Sequence, residues 1–281
     1  MGGVSIDGSL KSRPVSDSEP SPVTSISDAS TPGEAIHLRP TAALAERVLL
    51  PGDPGRALTL AQSLLVKPLM FNHHRGLWGY TGAATFDGEP LTIQATGMGG
   101  PSAAIVLTEL IALGARRAVR VGTCGALDPG LSLGDLLVAR DAICLDGTSR
   151  ALCASERWPV DRRSHLISGS IGDPVDLRSA ADPSLTKTLI AGTPWAHTGT
   201  IASVDLFYDS RPPQHAFDTL AVEMEAATLF AVGAATSTPV ACVLIVSDTF
   251  DASGARTRID DDLLLQATET MGATAVAALS T

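Results

Sequence analysis

The 281-residue sequence is short of several things that would send it to other classes of protein. Aromatic residues make up 4% of it. Its four cysteines, Cys124, Cys144, Cys153 and Cys242, form no C-x-x-C pair. That argues against a zinc site and a disulfide scaffold, and it fits a reducing compartment. Basic residues are outnumbered, 20 Lys and Arg against 30 Asp and Glu, giving a formal net charge of −10. A phosphodiester backbone calls for a net basic face, so no nucleic-acid partner is expected. Long apolar runs are missing as well. The longest lies near Val240–Val246, far short of the roughly 20 residues that span a bilayer. The amino terminus shows no apolar stretch of the secretory kind. The expectation is a soluble, cytoplasmic protein with no membrane partner.

What is present divides unevenly. Over residues 1–33, Ser, Pro and Gly fill 17 of 33 positions, and no aromatic residue occurs. Such a segment buries too little apolar surface to offset its chain entropy, so it reads as a disordered extension. Residues 34–281 read as one domain. Short apolar runs at Val48–Leu50, Leu91–Ala95, Ala118–Val121, Leu136–Leu145, Thr198–Ala202 and Val240–Val246 have the look of buried strands. Helical segments lie between and after them. One begins at Pro101 and stops at Gly114, and two Ala-rich segments cover Ala226–Ala235 and Leu263–Leu279. Strands alternating with helices predict a single-domain three-layer α/β/α sandwich around a mixed, twisted central sheet. The stretch 146–196 has weak periodicity and yields no clear pattern.

Glycine-rich turns are expected at strand ends, where open α/β sheets bind their ligands. Pro51-Gly52-Asp53-Pro54-Gly55-Arg56 pairs glycines, which let backbone N–H groups approach an anion, with a charged fork. Thr96-Gly97-Met98-Gly99-Gly100-Pro101-Ser102 leads into a helix N-terminus with unpaired N–H groups. It imitates a dinucleotide fingerprint, but Ser102 replaces the third small residue, and about 20 residues on stands Arg117 rather than an acid. Arg120-Val121-Gly122-Thr123-Cys124-Gly125-Ala126 adds an arginine and a hydroxyl. Their convergence suits a small oxyanion such as phosphate.

Two acidic elements complete the pattern. Glu223 and Glu225 flank Met224 among apolar residues. One reading has one carboxylate exposed and the other turned inward onto backbone donors. The other has Glu225 accepting from two sugar hydroxyls at once. Asp248, after Ser247 at the end of the longest apolar run, is either a helix N-cap or a catalytic acid whose pKa burial raises. Neither His73-His74 nor any other His, Cys or Asp group has metal-ligand spacing.

In order along the chain, PGDPGR, NHHRGLWGYTG, GMGGPS, RVGTCGA, DLFY, VEMEAA and VSD resemble the nucleoside phosphorylases of the trimeric and hexameric type, which include bacterial purine nucleoside phosphorylase and uridine phosphorylase. The resemblance runs from about Ile36 to the carboxyl terminus. It implies cleavage of a nucleoside N-glycosidic bond by inorganic phosphate, a co-substrate, with no cofactor and no metal. Phosphate would meet Gly52, Arg56, Arg120 and Thr123, with Arg75 reaching in from a neighbouring subunit. The ribose would meet Met224 and Glu225, and a neighbour's His37 at its 5′-hydroxyl. The base would lie against Cys124, Gly125, Phe207 and Ser247. Asp248 would protonate a purine at N7, assisted by Arg256 or Arg258. That choice stays open because the family's arginine follows its Ser-Asp pair at a longer interval. Uridine-specific relatives use a Gln-x-Arg order that is missing here, although Arg211 and Gln214 occupy that stretch. Purine is therefore the favoured base. A homohexamer built as a trimer of dimers is implied, with a role in nucleoside salvage. A nucleosidase of the same fold and a non-catalytic nucleoside-binding protein are the rivals. The arginines speak against the first, since water needs no such cluster.

Overall fold

A computed structural model of the chain describes residues 35–154, 177–208, 219–251 and 253–281. The extension at 1–33, residues 155–176 of the patternless stretch, and both Arg211 and Gln214 lie outside the described residues.

The elements follow in the order β1 (Arg47–Leu50), α1 (Pro54–Leu64), β2 (Leu65–Asn72), β3 (Gly79–Ala84), β4 (Pro90–Gln94), α2 (Gly100–Leu113), β5 (Arg117–Ala126), β6 (Leu136–Cys144) and α3 (Gly147–Ala154). Then come β7 (Arg178–Ala180), α4 (Pro183–Gly192), β8 (His197–Ser203), β9 (Ala221–Glu223), α5 (Ala226–Thr236), β10 (Val240–Phe250), β11 (Arg256–Arg258) and α6 (Asp261–Leu279). Helix ends obey local chemistry. Asp53, Asp182 and Asp260 cap α1, α4 and α6 by accepting from backbone N–H groups three residues on. Gly114 closes α2 in the left-handed region at φ 120°.

The expected mixed α/β architecture is what the chain adopts. Apolar residues of the central strands alternate between two cores. On β10, Val240, Cys242, Leu244 and Val246 face one, while Ala241, Val243 and Ile245 face the other. A period of two with both faces apolar is the mark of a sheet covered on both sides. Leu107 of α2, Cys153 of α3 and Phe230 of α5 fill the first core. Leu60 of α1, Leu189 of α4 and Met271 of α6 fill the second. Each fully buried Leu or Phe contributes about 1.5–3 kcal/mol.

Sheet topology decides where the site forms. Strands β2, β3, β4, β1 and β5 lie side by side. Beyond β5 the sheet closes on itself: β5 pairs with both β10 and β9, and the path runs β10-β6-β8-β9. β5 and β10 run parallel, so their carboxyl ends lie side by side, while β8 runs the opposite way and sets Ser203 across from Glu223 of β9. Two strands outrun expectation. The turn expected at Gly122–Ala126 is strand, paired with β10 along its length and with β9 at its end. Asp248 is no helix cap, because β10 continues through it to Phe250 and pairs with β11.

Candidate active site

Arg120 sits in the middle of β5, 4% exposed. Its guanidinium folds back along the strand over Gly122, where an added Cβ would come within 2.9 Å of Nη2. Glycine at 122 thus makes room for the arginine's own side chain. Nε donates to Glu223 Oε2 at 3.2 Å, and Nη2 donates to Glu225 Oε2. Burial works against this cation, but Glu225 and Glu223 more than offset it and hold the guanidinium above its ordinary pKa. Nη1 is buried and has no hydrogen-bond partner among the described residues. It lies 3.9 Å from where a Cβ on Gly52 would stand. A buried guanidinium edge beside a glycine loop has the donor chemistry that an oxyanion accepts.

The other anion-binding candidates stand around it. Arg56 is in the first turn of α1, and its backbone N–H donates to Asp53 Oδ1 at 2.7 Å. Burial pushes the Arg56 guanidinium below its ordinary pKa, and the nearby Arg120 cation adds to this. Gly97 N–H donates to Gly52 O at 3.0 Å, tying the first and second glycine loops together. Gly97 and Gly99 have φ of 74° and 82°, which only glycine adopts without strain. Gly99 N–H donates to Glu225 Oε1 at 2.6 Å. Thr123 lies on β5, three residues beyond Arg120 and partly buried.

Both glutamates are buried, each 5% exposed, so the reading with one of them outward is corrected. Their roles separate cleanly. Glu223 accepts from the N–H groups of Glu225 and Ala226 at the start of α5, and from Ser203 Oγ at 2.5 Å. Burial nevertheless pushes its pKa up. Glu225 is held by Arg120 and Gly99 at the mouth of the glycine loops. Met224 between them is partly exposed.

A second polar group gathers at the end of β10. The pairing of β10 with β5 shifts between Val246 and Asp248, a bulge of the sort that re-aims side chains beside active sites. Asp248 is 7% exposed. Ser247 Oγ lies 2.7 Å from Asp248 Oδ2 and 3.2 Å from the Cys124 carbonyl oxygen. Asp248 Oδ1 has no hydrogen-bond partner among the described residues. In the β10–β11 register Asp248 faces Arg258 and Phe250 faces Arg256, so all four share one face of the hairpin. The side chain that reaches across is Arg256, with Nε 3.8 Å from Oδ1. Its guanidinium also lies over the Phe207 ring, 4.4 Å from the centroid. Arg258 is exposed, and its side chain has no hydrogen bond or ion pair among the described residues. Gly125 packs against Phe250, which would come within 3.0 Å of a Cβ there. Phe207, 46% exposed, joins this group through Arg256.

His37 and Arg75 stand elsewhere. His37 Nδ1 lies 2.6 Å from Glu109 Oε1 of α2, and that carboxylate also accepts from the N–H groups of Ile36, His37 and Leu38. Arg75 is exposed at φ 58°, and among the described residues it has no side-chain hydrogen bond or ion pair. With His37, Arg39 and His73 it forms the positive surroundings of His74.

The family model of the phosphorylase superfamily matches residues 46–280. The chain belongs to this family of nucleoside phosphorylases. Within the family it is 34% identical to the purine nucleoside phosphorylase DeoD-type of Geobacillus kaustophilus, over 74% of this chain and 83% of the relative. It is also 34% identical to the protein of that name from Roseobacter denitrificans, over 73% of this chain and 82% of the relative. The fold matches the crystal structure of uridine phosphorylase from Vibrio fischeri with a TM-score of 0.67 at 23% identity, covering 84% of this chain and 92% of that one. Among the described residues no helix is long and apolar enough to cross a membrane.

Proposed function

We propose that the protein cleaves purine nucleosides with inorganic phosphate, giving the free base and ribose 1-phosphate. The observation that carries this reading is the Arg120 guanidinium, fixed on two edges by glutamates with Nη1 left buried and free beside Gly52. Water as the attacking group has no use for that edge, whereas a phosphate oxygen does. As the C1′–N bond stretches, positive charge develops on the ribose and negative charge on the base, as in glycoside cleavage generally. Phosphate beneath C1′ is nucleophile and counter-charge at once. The bond broken is C1′–N and the bond formed is C1′–O of phosphate. Glu225 accepts from the ribose hydroxyls.

Purine preference is supported by Asp248. A protonated Oδ1 donates to N7 of a purine leaving group, a proton acceptor that uracil lacks. Arg256, 3.8 Å away, stabilises the carboxylate that remains after transfer. The DeoD-type names of the curated relatives point the same way. Phosphate is the only co-substrate in this scheme, and no cofactor or metal takes part.

His37 and Arg75 fit a site shared between copies of the chain. His37 is tied to Glu109 through Nδ1 and Arg75 has no ion pair among the described residues, so Arg75 and the other ring nitrogen of His37 are available to a neighbour's site in a homo-oligomer. The deciding experiment is an assay of base release from inosine, adenosine and uridine, with and without phosphate. Phosphate-dependent release from the two purine nucleosides is expected. Release that ignores phosphate sinks the phosphorylase reading, and a uridine preference sinks the purine one.

A further inference from the structure

Arg120 presents its Nη1 edge to the oxyanion position only because its other two edges are occupied, and the group that occupies the Nε edge is itself held in place. Glu223 closes β9, directly before the turn into α5. Its Oε1 accepts from Ser203 Oγ at 2.5 Å, and Oε2 accepts from Arg120 Nε at 3.2 Å. Ser203, the last residue of β8, is fully buried. In the β8–β9 register it stands directly across from Glu223. Its oxygen also accepts from the Ala227 N–H at 2.9 Å. The hydroxyl therefore uses its donor on the carboxylate and its acceptor on the helix, and one rotamer satisfies both.

We propose that Ser203 and Glu223 are positioning residues for phosphate, aligning the Arg120 guanidinium so that Nη1 faces the anion. This rests on the reading of Arg120 as a phosphate ligand. The geometry explains why three strands are needed. β5 carries the arginine, β9 the carboxylate that sets its Nε edge, and β8 the hydroxyl that sets the carboxylate. A guanidinium has donors on every edge, so without Glu223 on Nε it can rotate toward Glu225. That rotation would place a glutamate, rather than phosphate, opposite its best donors. Neither Ser203 nor Glu223 touches the substrate in this arrangement. Glu225 keeps its own donor in the Gly99 N–H, so the ribose side is less dependent on the alignment.

A purely structural role predicts something different. Glu223 caps α5 through the N–H groups of Glu225 and Ala226, so losing a mere cap would lower stability without distinguishing the two substrates. The test measures the phosphate KM, the nucleoside KM, kcat and the melting temperature of Ser203→Ala, Ser203→Thr and Glu223→Gln beside the unaltered protein. Ser203→Ala leaves the carboxylate and its helix contacts in place, and so keeps the test available if Glu223→Gln fails to fold. Ser203→Ala and Glu223→Gln are expected to raise the phosphate KM about ten-fold or more, the scale of one charge-assisted hydrogen bond. The nucleoside KM should stay within about two-fold, and Ser203→Thr, which keeps the hydroxyl, should recover most of the loss. Phosphate and nucleoside KM rising together, or a lower melting temperature with both unchanged, overturns the positioning role while leaving phosphorolysis intact. Base release by the unaltered protein that ignores phosphate overturns both readings.

Discussion

Arg256 Nε lies 3.8 Å from Asp248 Oδ1, a buried oxygen that accepts no hydrogen bond from the described residues. At that distance the pair attracts without a hydrogen bond, so the carboxyl oxygen stays open to an incoming donor or acceptor. The cation is anchored on its other side by the Phe207 ring at 4.4 Å, a contact of about 0.5–1 kcal/mol at an exposed site. Aromatic ring, arginine and acid thus form one connected group at the β10–β11 hairpin.

Asp248→Asn keeps the shape and removes the proton. With purine nucleosides kcat should fall on the order of 10²-fold or more, the usual scale of a lost general acid. Phosphate KM should change little, because Asp248 belongs to the base side of the site. Steady-state kinetics with inosine decides it, and an unchanged kcat rules Asp248 out as the acid.

Arg256→Ala and Arg258→Ala should separate clearly. Only Arg256 reaches Asp248 and Phe207, so its loss should lower kcat at least about ten-fold, while Arg258→Ala stays near the parent value. Equal losses would show that the hairpin rearranges around the substrate.

Arg120→Lys preserves charge but loses the planar fork. Phosphate KM is expected to rise by about ten-fold or more, since one charge-assisted bond is worth about 1.5–3 kcal/mol. Stability should fall too, because Glu223 and Glu225 are buried and lose part of their compensation. Urea unfolding beside the two KM values separates these effects, and equal changes in both KM values count against Arg120 as a phosphate ligand.

Far from the site, Asp87 is clamped by Arg47, whose Nη1 and Nη2 donate to it at 2.5 and 3.0 Å, and by Ser280 Oγ at 2.5 Å. Hydrogen bonds from Arg47 above all hold its carboxyl well below the ordinary range. The folded chain then binds fewer protons here than the unfolded chain, whose aspartates titrate near pH 3.9. The stabilisation is present above roughly that pH and is lost as the pH falls toward the folded pKa. Asp87→Asn should therefore lower the melting temperature at pH 7, with the difference shrinking below about pH 4. A gap that stays constant down to strongly acid pH contradicts the assignment.

Gly100→Ala probes how tightly α2 is seated. A Cβ there would meet Asp146 Oδ2 and Thr228 Oγ1 at 2.8 Å and Thr148 Cβ at 2.9 Å. Asp146 is fully buried and already accepts from Ser149 N–H at 2.8 Å and Thr228 Oγ1 at 2.9 Å, so it has little room to give. A loss of about 1–3 kcal/mol is expected by chemical denaturation.

Much of this was legible in the sequence because the site is carried by short segments with strong local chemistry. Pro51–Arg56 and Thr96–Ser102 read as turns since Gly and Pro punctuate them, and Arg120 follows an apolar strand directly. What could not be read depends on pairing between distant strands. The β10–β11 register sets Arg258 across from Asp248, and it is the reach of the Arg256 side chain that sets Arg256 apart. That Glu223 and Glu225 both turn inward could not be read, because nothing local reveals that β8 sets Ser203 across from Glu223. The end of β5 resembled a loop, since Gly122 and Gly125 weaken strand propensity. Its partners on both sides override that tendency. The β2–β3 hairpin was invisible because Lys67 and Pro68 break any alternation in β2.

That last break has a further effect. β2 ends the path of the sheet, and the outermost strand is where a foreign backbone could add on. Pro68 offers no N–H, and Lys67 turns into the left-handed region at φ 47° just where the register with β3 shifts. The ladder cannot be extended evenly past this point. Copies of the chain that meet along this border must recognise one another by side chains such as Val66 and Leu69, both exposed, rather than by merging their sheets.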